Sequence, residues 1–146
     1  MTAIVVGIGQ DAAGDDGVGL AVARVLAARG LEVLERADAS IVLELAAQRR
    51  AFVIVDAVVN GDPPGTVIRI AVDALGAGPA PLSSHGLGVA EAIALARELY
   101  GEIEVAIVGV VIEPPRMLPG LSPAVAAAIE PAAALAARLA CDDPTA

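Results

Sequence analysis

The sequence contains no lysine and no tryptophan, and a single cysteine, histidine, tyrosine and phenylalanine. Each scarcity excludes something. A phosphate loop of the Walker type needs its lysine, so that site is ruled out. The lone cysteine, Cys141, cannot form an internal disulfide or a thiolate zinc cluster, and a reducing cytoplasm is the expected compartment. With so few aromatic residues, the core must be built from small aliphatic side chains. Basic charge is also short. Nine arginines stand against eighteen acids, giving a net charge of -9 and a pI near 4.4, which argues against nucleic acid or an anionic membrane surface as partner. Long apolar runs are absent too. The cleanest, "VAIVGVVI" (105–112), has the length of a strand, and the Ala-rich stretch Leu121–Ala140 is interrupted by Glu130, Pro131 and Arg138. The opening residues lack the basic segment of a signal peptide. A single domain spanning 1–146, outside the membrane and monomeric, is expected.

What is present is an alternation of two periodicities. Strand patterns occur at Ala3–Gly7, Glu32–Glu35, Ala51–Ala57, Thr66–Ile70 and Glu104–Ile112. "AFVIVDAVV" and "EVAIVGVVI" are nearly continuous β-branched runs, as in parallel strands covered on both faces. Helical patterns lie between them, at about Gly17–Ala28, Ser40–Gln48 and Leu87–Tyr100. The last helix opens with Ser122 as N-cap and Pro123 at the first helical position, and Pro131 is expected to kink or split it. "NGDPPGT" (60–66) is a turn leading into a short strand, placed antiparallel at a sheet edge. The order of elements predicts a three-layer α/β/α sandwich with a mostly parallel five-stranded sheet and one antiparallel edge strand.

Ligands of open parallel sheets bind outside the carboxyl ends of the strands. Three chemically capable residues fall there: Asp16 after the first strand, Asp56 at the end of the third, and His85, the only histidine, in the irregular loop "GAGPAPLSSHG" (76–86). Taken singly, each has an ordinary role. Asp15 or Asp16 can cap the first helix, Asp56 can accept backbone N–H groups, and a loop histidine can be merely solvated. Two adjacent aspartates cannot both cap one helix, however, and Asp15 is the one assigned to the cap.

The first turn, Gly7-x-Gly9-x-x-Ala12, resembles a dinucleotide fingerprint, with Glu35 placed for the ribose. Electrostatics oppose that reading. A carboxylate about 6 Å from a phosphate charge costs roughly 3 kcal/mol at an effective dielectric of 20. Asp11, Asp15 and Asp16 multiply the cost, and no basic residue is evident nearby in sequence. A cation is the better guest. The donor set of Asp16, Asp56 and His85 leaves coordination positions open and suits nickel, zinc, cobalt or manganese, without choosing among them. A Ser84–His85 hydrolase triad is disfavoured, because neighbouring residues rarely align hydroxyl and imidazole and no G-x-S-x-G elbow is present.

At these residues the sequence resembles the hydrogenase maturation endopeptidases. That family's opening "GxGNxxxxDDGVG" stands here as "GIGQDAAGDDGVG" (7–19), with Gln10 in place of the usual Asn. Further matches are "VDA" (55–57), "PGT" (64–66), "SxH" (83–85), "LYG" (99–101), the "VGVxIEP" region (108–114) and "LSP" (121–123). Segment 36–45, "RADASIVLEL", departs from the family's usual turn. The resemblance implies an aspartic-type or nickel-dependent endopeptidase. It would remove the C-terminal extension of the large-subunit precursor of a nickel–iron hydrogenase after nickel insertion. It also implies that Asp16, Asp56 and His85 are both the nickel ligands and the catalytic residues, with the nickel recognised inside the substrate. The alternative compatible with the same residues is a non-catalytic metal-binding maturation scaffold, or an inactive paralogue.

Overall fold

The computed structural model describes residues 2–72, 88–114 and 120–141. Five strands form one sheet: β1 (Ile4–Ile8), β2 (Val33–Arg36), β3 (Phe52–Val58), β4 (Val67–Ile70) and β5 (Val105–Val111). Their spatial order is β2-β1-β3-β5-β4, with every pairing parallel except β4 against β5. The expected mostly parallel sheet and its antiparallel edge strand are therefore observed. β1, β3 and β5 are buried along their whole length, which is why their sequences run apolar without alternation.

The helices are α1 (Val18–Ala28), α2 (Ile41–Ala47), α3 (Val89–Tyr100), α4 (Pro123–Ala127) and α5 (Ile129–Cys141). Successive strand residues face opposite sides, so two separate cores form. On one side Val5, Val53, Val55, Val108 and Val110 pack with Val18, Val22 and Leu26 of α1 and with Ala132, Ala133 and Ala136 of α5. On the other, Ile4, Val6, Phe52, Ile54 and Ile107 pack with Val42 and Leu45 of α2 and Ile93 and Ala96 of α3. Alanines at the helix contacts allow close approach, which suits a chain with almost no aromatic volume.

The C-terminal helix breaks at Ala128, three residues before Pro131. A proline ring collides with the carbonyl four residues upstream, here Ala127, and that is the last residue of α4. Pro131 itself then lies in the first turn of α5, where no N–H is needed. One sequence expectation is corrected here. By length and composition Pro123–Cys141 is a 19-residue stretch apolar enough to cross a membrane, despite Glu130, Pro131 and Arg138. In the fold it is split, and α5 lays Ala132, Ala133, Ala136, Leu139 and Ala140 on the sheet.

Candidate functional site

The sheet order identifies a crevice. β1 and β3 are neighbours, yet the chain leaving the carboxyl end of β1 passes through α1 to β2 on one side, whereas the chain leaving β3 runs the opposite way, to β4 beyond β5. Such a divergence opens a cleft at the carboxyl ends of the two strands. Asp56 is the fifth residue of β3 and lies level with Ile8, the last residue of β1, because Gly7 pairs with Val55. Strand alternation puts Asp56 on the same side as Phe52 and Ile54, the side covered by α2 and α3.

Asp16 reaches the same edge by an irregular route. Between Gln10 and α1 the chain makes a 3₁₀ segment, Asp11–Gly17, which is broken at Ala13 and Gly14. Gly14 has φ 62° and ψ -122°, a conformation open in practice only to glycine. The segment folds back so that the carbonyl of Asp16 lies against Gly9, where any side chain would collide with it. The Gly-x-Gly turn thus allows a close approach, but by the chain's own backbone, in the place a dinucleotide phosphate would need. Gly19 serves the same end: a side chain there would meet the carbonyls of Ile8 and Val55, so α1 can begin directly over the crevice.

Asp16 and Asp56 are each 2% exposed, and among the described residues they are the only buried polar or charged side chains. Burying one carboxylate is costly and two at one sheet edge more so. His85 lies outside the described residues, as do Ser83 and Ser84, so the third member of the predicted set has no position to report. Gly88, three residues after His85, does: it precedes α3. The far end of α3 lies at the amino edge, where Arg49 donates from Nη1 to the Tyr100 carbonyl at 2.7 Å and the chain returns to β5. The start of α3 is accordingly at the carboxyl edge, with Asp16 and Asp56. Among the described residues no group of three His, Cys, Asp or Glu side chains converges.

Two expectations about the acidic loop are corrected. Asp15 does not cap α1; Gly17 occupies the cap position, without a side-chain bond. Instead the Asp15 carboxylate accepts two hydrogen bonds from Ser122, from the backbone N–H to Oδ1 at 2.6 Å and from Oγ to Oδ2 at 2.8 Å. Ser122 does precede α4 as expected, but its hydroxyl is engaged by Asp15 and not by its own helix. Nor are the acids far from a basic group. Arg24 forks onto Asp11 with distances of 3.1 and 2.8 Å and donates from Nε to Glu35 at 2.9 Å. Its hydrogen bonds hold the Asp11 carboxyl below its usual range, and the Arg24 guanidinium is held correspondingly high, first by Asp11 and then by Glu35. Glu35, the residue a ribose would need, is therefore already paired. The signal for the Asp15 contact was half present in sequence, since two adjacent acids compete for one cap. Its partner, 107 residues away, left no local trace.

Comparison with known proteins agrees with this fold. No curated protein sequence matches the chain. Among solved structures, the [NiFe] hydrogenase maturation protease HybD from Thermococcus kodakarensis superposes with a TM-score of 0.78 at 27% identity, covering 96% of this chain and 99% of that one. HycI from Thermococcus kodakarensis KOD1 gives 0.72 at 27%, covering 97% and 94%, and the Escherichia coli endopeptidase HybD gives 0.71 at 26%, covering 92% and 89%. The sequence pattern of the hydrogenase maturation proteases matches residues 37–139, about seven-tenths of the length and including Asp56 and His85. The chain belongs to the hydrogenase maturation protease family.

Proposed function

We propose that the chain is the endopeptidase that removes the C-terminal extension of a nickel–iron hydrogenase large-subunit precursor once nickel has been inserted. The observation carrying this reading is the pair of buried carboxylates, Asp16 and Asp56, at the β1/β3 crevice of a chain in this family. Two carboxylates with the imidazole of His85 form an oxygen–oxygen–nitrogen donor set of the kind a borderline divalent ion accepts. The nickel belongs to the substrate. Asp16, Asp56 and His85 take up the positions left open on the precursor-bound ion, and in doing so they dock the cleavage site into the crevice. Recognition through the metal makes processing conditional on its presence, because an empty precursor offers no counter-charge to the two buried acids. Docking also fixes the scissile peptide relative to the protease, and positioning of this kind contributes several kcal/mol to a hydrolytic step. Hydrolysis adds water across the C–N bond, giving a new carboxylate on the subunit and an amine on the released peptide. The chain's own acids and imidazole are the groups at hand for the proton transfers.

The test uses purified chain with nickel-loaded and nickel-free precursor. Shortening of the loaded precursor alone is expected. Binding of the loaded precursor without shortening would instead establish a non-catalytic scaffold, and equal shortening of both forms would remove nickel recognition. His85→Ala is expected to stop processing, read as the rate of precursor shortening, while leaving the melting temperature within a few degrees. Lowering the pH below about 6 is expected to weaken recognition, since an imidazole must be neutral to ligate.

A further inference from the structure

Asp15 sits next to Asp16 and is half-buried. Both its oxygens are engaged by Ser122, at the start of α4, on the far side of the chain in sequence. The contact joins segments 107 residues apart, and the place it joins is irregular. The 3₁₀ segment is short, internally broken at Ala13 and Gly14, and follows a residue, Gln10, that supplies no cap. Left to itself, such a turn would sample many conformations.

Its start is held by Arg24, which forks onto Asp11. In its second half the Asp16 carbonyl packs on Gly9 and Ser122 holds the Asp15 carboxylate through two hydrogen bonds. Successive side chains on a 3₁₀ turn are separated by about 120°. Fixing Asp15 toward α4 therefore fixes the direction in which Asp16 leaves the same turn. Ser122 is itself well anchored, because Val125 in the first turn of α4 is fully buried in the α1/α5 core and the Ala126 N–H donates to the Ser122 carbonyl.

We propose that Asp15 is a positioning residue, whose clasp on Ser122 orders the 14–17 turn and sets the Asp16 carboxylate in the crevice. This rests on the assignment of Asp16 to substrate recognition. Asp15 acts through geometry and not through its charge. An asparagine at this position keeps both contacts, accepting from the Ser122 N–H through Oδ1 and donating through Nδ2 to Oγ. An alanine keeps neither.

Two readouts separate the possibilities. The first is the rate of precursor shortening by the full chain with nickel-loaded precursor. Asp15→Ala is expected to lose roughly 10- to 100-fold, as partners that orient a recognition ligand commonly do, and Asp15→Asn to stay within about threefold of the natural chain. The second is amide hydrogen exchange at residues 14–17, which is independent of whether any precursor is cut. Exchange should quicken about tenfold or more in Asp15→Ala and stay unchanged in Asp15→Asn. Should Asp15→Ala fail to fold, Ser122→Ala, which deletes only the hydroxyl contact, should show the same two changes at smaller size. Unaltered exchange at 14–17 in the alanine variants overturns the proposal. So does an Asp15→Asn variant as slow as Asp15→Ala, which would make Asp15 a ligand in its own right. If the natural chain cuts nothing, the functional assignment falls, while the exchange measurement still decides whether Asp15 orders the turn.

Discussion

The two edges of the sheet handle charge in opposite ways. At the amino edge, where α2 and α3 end and β3 and β5 begin, charged side chains stay in solvent and pair. Arg50 meets Glu32 at 2.8 Å, and Arg49, at φ 57° the only non-glycine residue in the left-handed region among those described, closes the end of α3 through Tyr100. The shallow cleft there is lined by Ala46, Arg49, Arg50, Glu102, Ile103 and Glu104, an ordinary mixture of both signs. At the carboxyl edge the outer charges behave the same way, with Arg24 bridging Asp11 and Glu35. One layer further in, that edge also buries two acids. The contrast teaches that burial of Asp16 and Asp56 is not the price of a charged surface meeting a small fold. The amino edge solves that problem with exposed pairs, and the buried acids are the groups that the proposed function assigns to recognition of a cation.

The sharpest way to break this comparison is to neutralise the buried acids. Asp56→Asn keeps the shape of the side chain and removes its charge. Processing of nickel-loaded precursor is expected to fall by about 10³-fold or more, equivalent to roughly 4 kcal/mol of lost recognition or transition-state stabilisation. The melting temperature is expected to hold or rise, because sites that bury charge for function do so at the expense of stability. Asp16→Asn should behave alike. A variant that melts several degrees lower and cuts at the natural rate would make the carboxylate a structural group and erase the distinction between the edges.

Close backbone approach is the second difference. Gly19 lies against the carbonyls of Ile8 and Val55 at the crevice, whereas Gly30, after α1 at the amino edge, has open space around it and only a φ of 91° to justify it. Gly19→Ala forces backbone apart in a packed place and is expected to cost about 3 kcal/mol, lowering the melting temperature by roughly 10 °C. Gly30→Ala meets only the left-handed penalty of about 1 kcal/mol. Thermal melts of the two variants check the ratio; equal losses would mean that α1 does not press on the crevice.

How far the sequence revealed these features depended on how local their causes are. β3 and β5 were legible because burial on both faces writes itself as an unbroken β-branched run. β4 was legible as an antiparallel edge because "NGDPPGT" leaves too few residues for a crossover. Asp56 stood out because an acid interrupts a buried strand. The break before α5 was expected from Pro131, and its location at Ala128 follows from which carbonyl the ring meets. Asp15 was misread for a nonlocal reason. Its environment depends on Ser122, and nothing within one turn of either residue encodes their meeting. Arg24 was overlooked on similar grounds: it reaches Asp11 from a helix thirteen residues on, through a turn whose course is set by Gly14. The apolar length of Pro123–Cys141 was judged by its charges, when burial against the sheet is what distinguishes it.

A smaller effect separates the outer charges from the inner ones. The Asp11 carboxyl titrates below its usual value because Arg24 donates to it, so the folded state holds its proton less tightly than the unfolded state. The stabilisation this brings is present above the unfolded pKa of about 3.9 and is lost as pH falls through the lower folded value. Both side chains are at least half exposed, so solvent screening limits the contribution to less than about 1 kcal/mol. Arg24→Ala should therefore lower stability slightly at pH 7, and the deficit should begin to shrink below about pH 4, as pH falls through the lower folded value, and should also shrink with added salt. Denaturant titrations at pH 7 and pH 3 check this. A deficit undiminished at pH 3 would assign Arg24 a packing role.

The least effect is expected at Arg29, which forks onto Glu130 at 2.6 and 2.8 Å and joins the end of α1 to the first turn of α5. By distance this pair is at least as short as those of Arg24 and Arg50, and it spans 101 residues, close to the separation bridged by Asp15 and Ser122. The pairing depresses the Glu130 carboxyl and raises the Arg29 guanidinium, yet both side chains are about half exposed or more. Water replaces each partner at almost no cost when the other is removed, and ordering two long side chains offsets what the pair gains. Arg29→Ala should leave the melting temperature and the processing rate unchanged within error. The Asp15 clasp has similar distances and sequence separation, but it is half-buried and one of its donors is a backbone N–H, so removing its acceptor is felt. A measurable loss at Arg29, matching that at Asp15, would show that chain separation and not burial decides which contacts hold this fold.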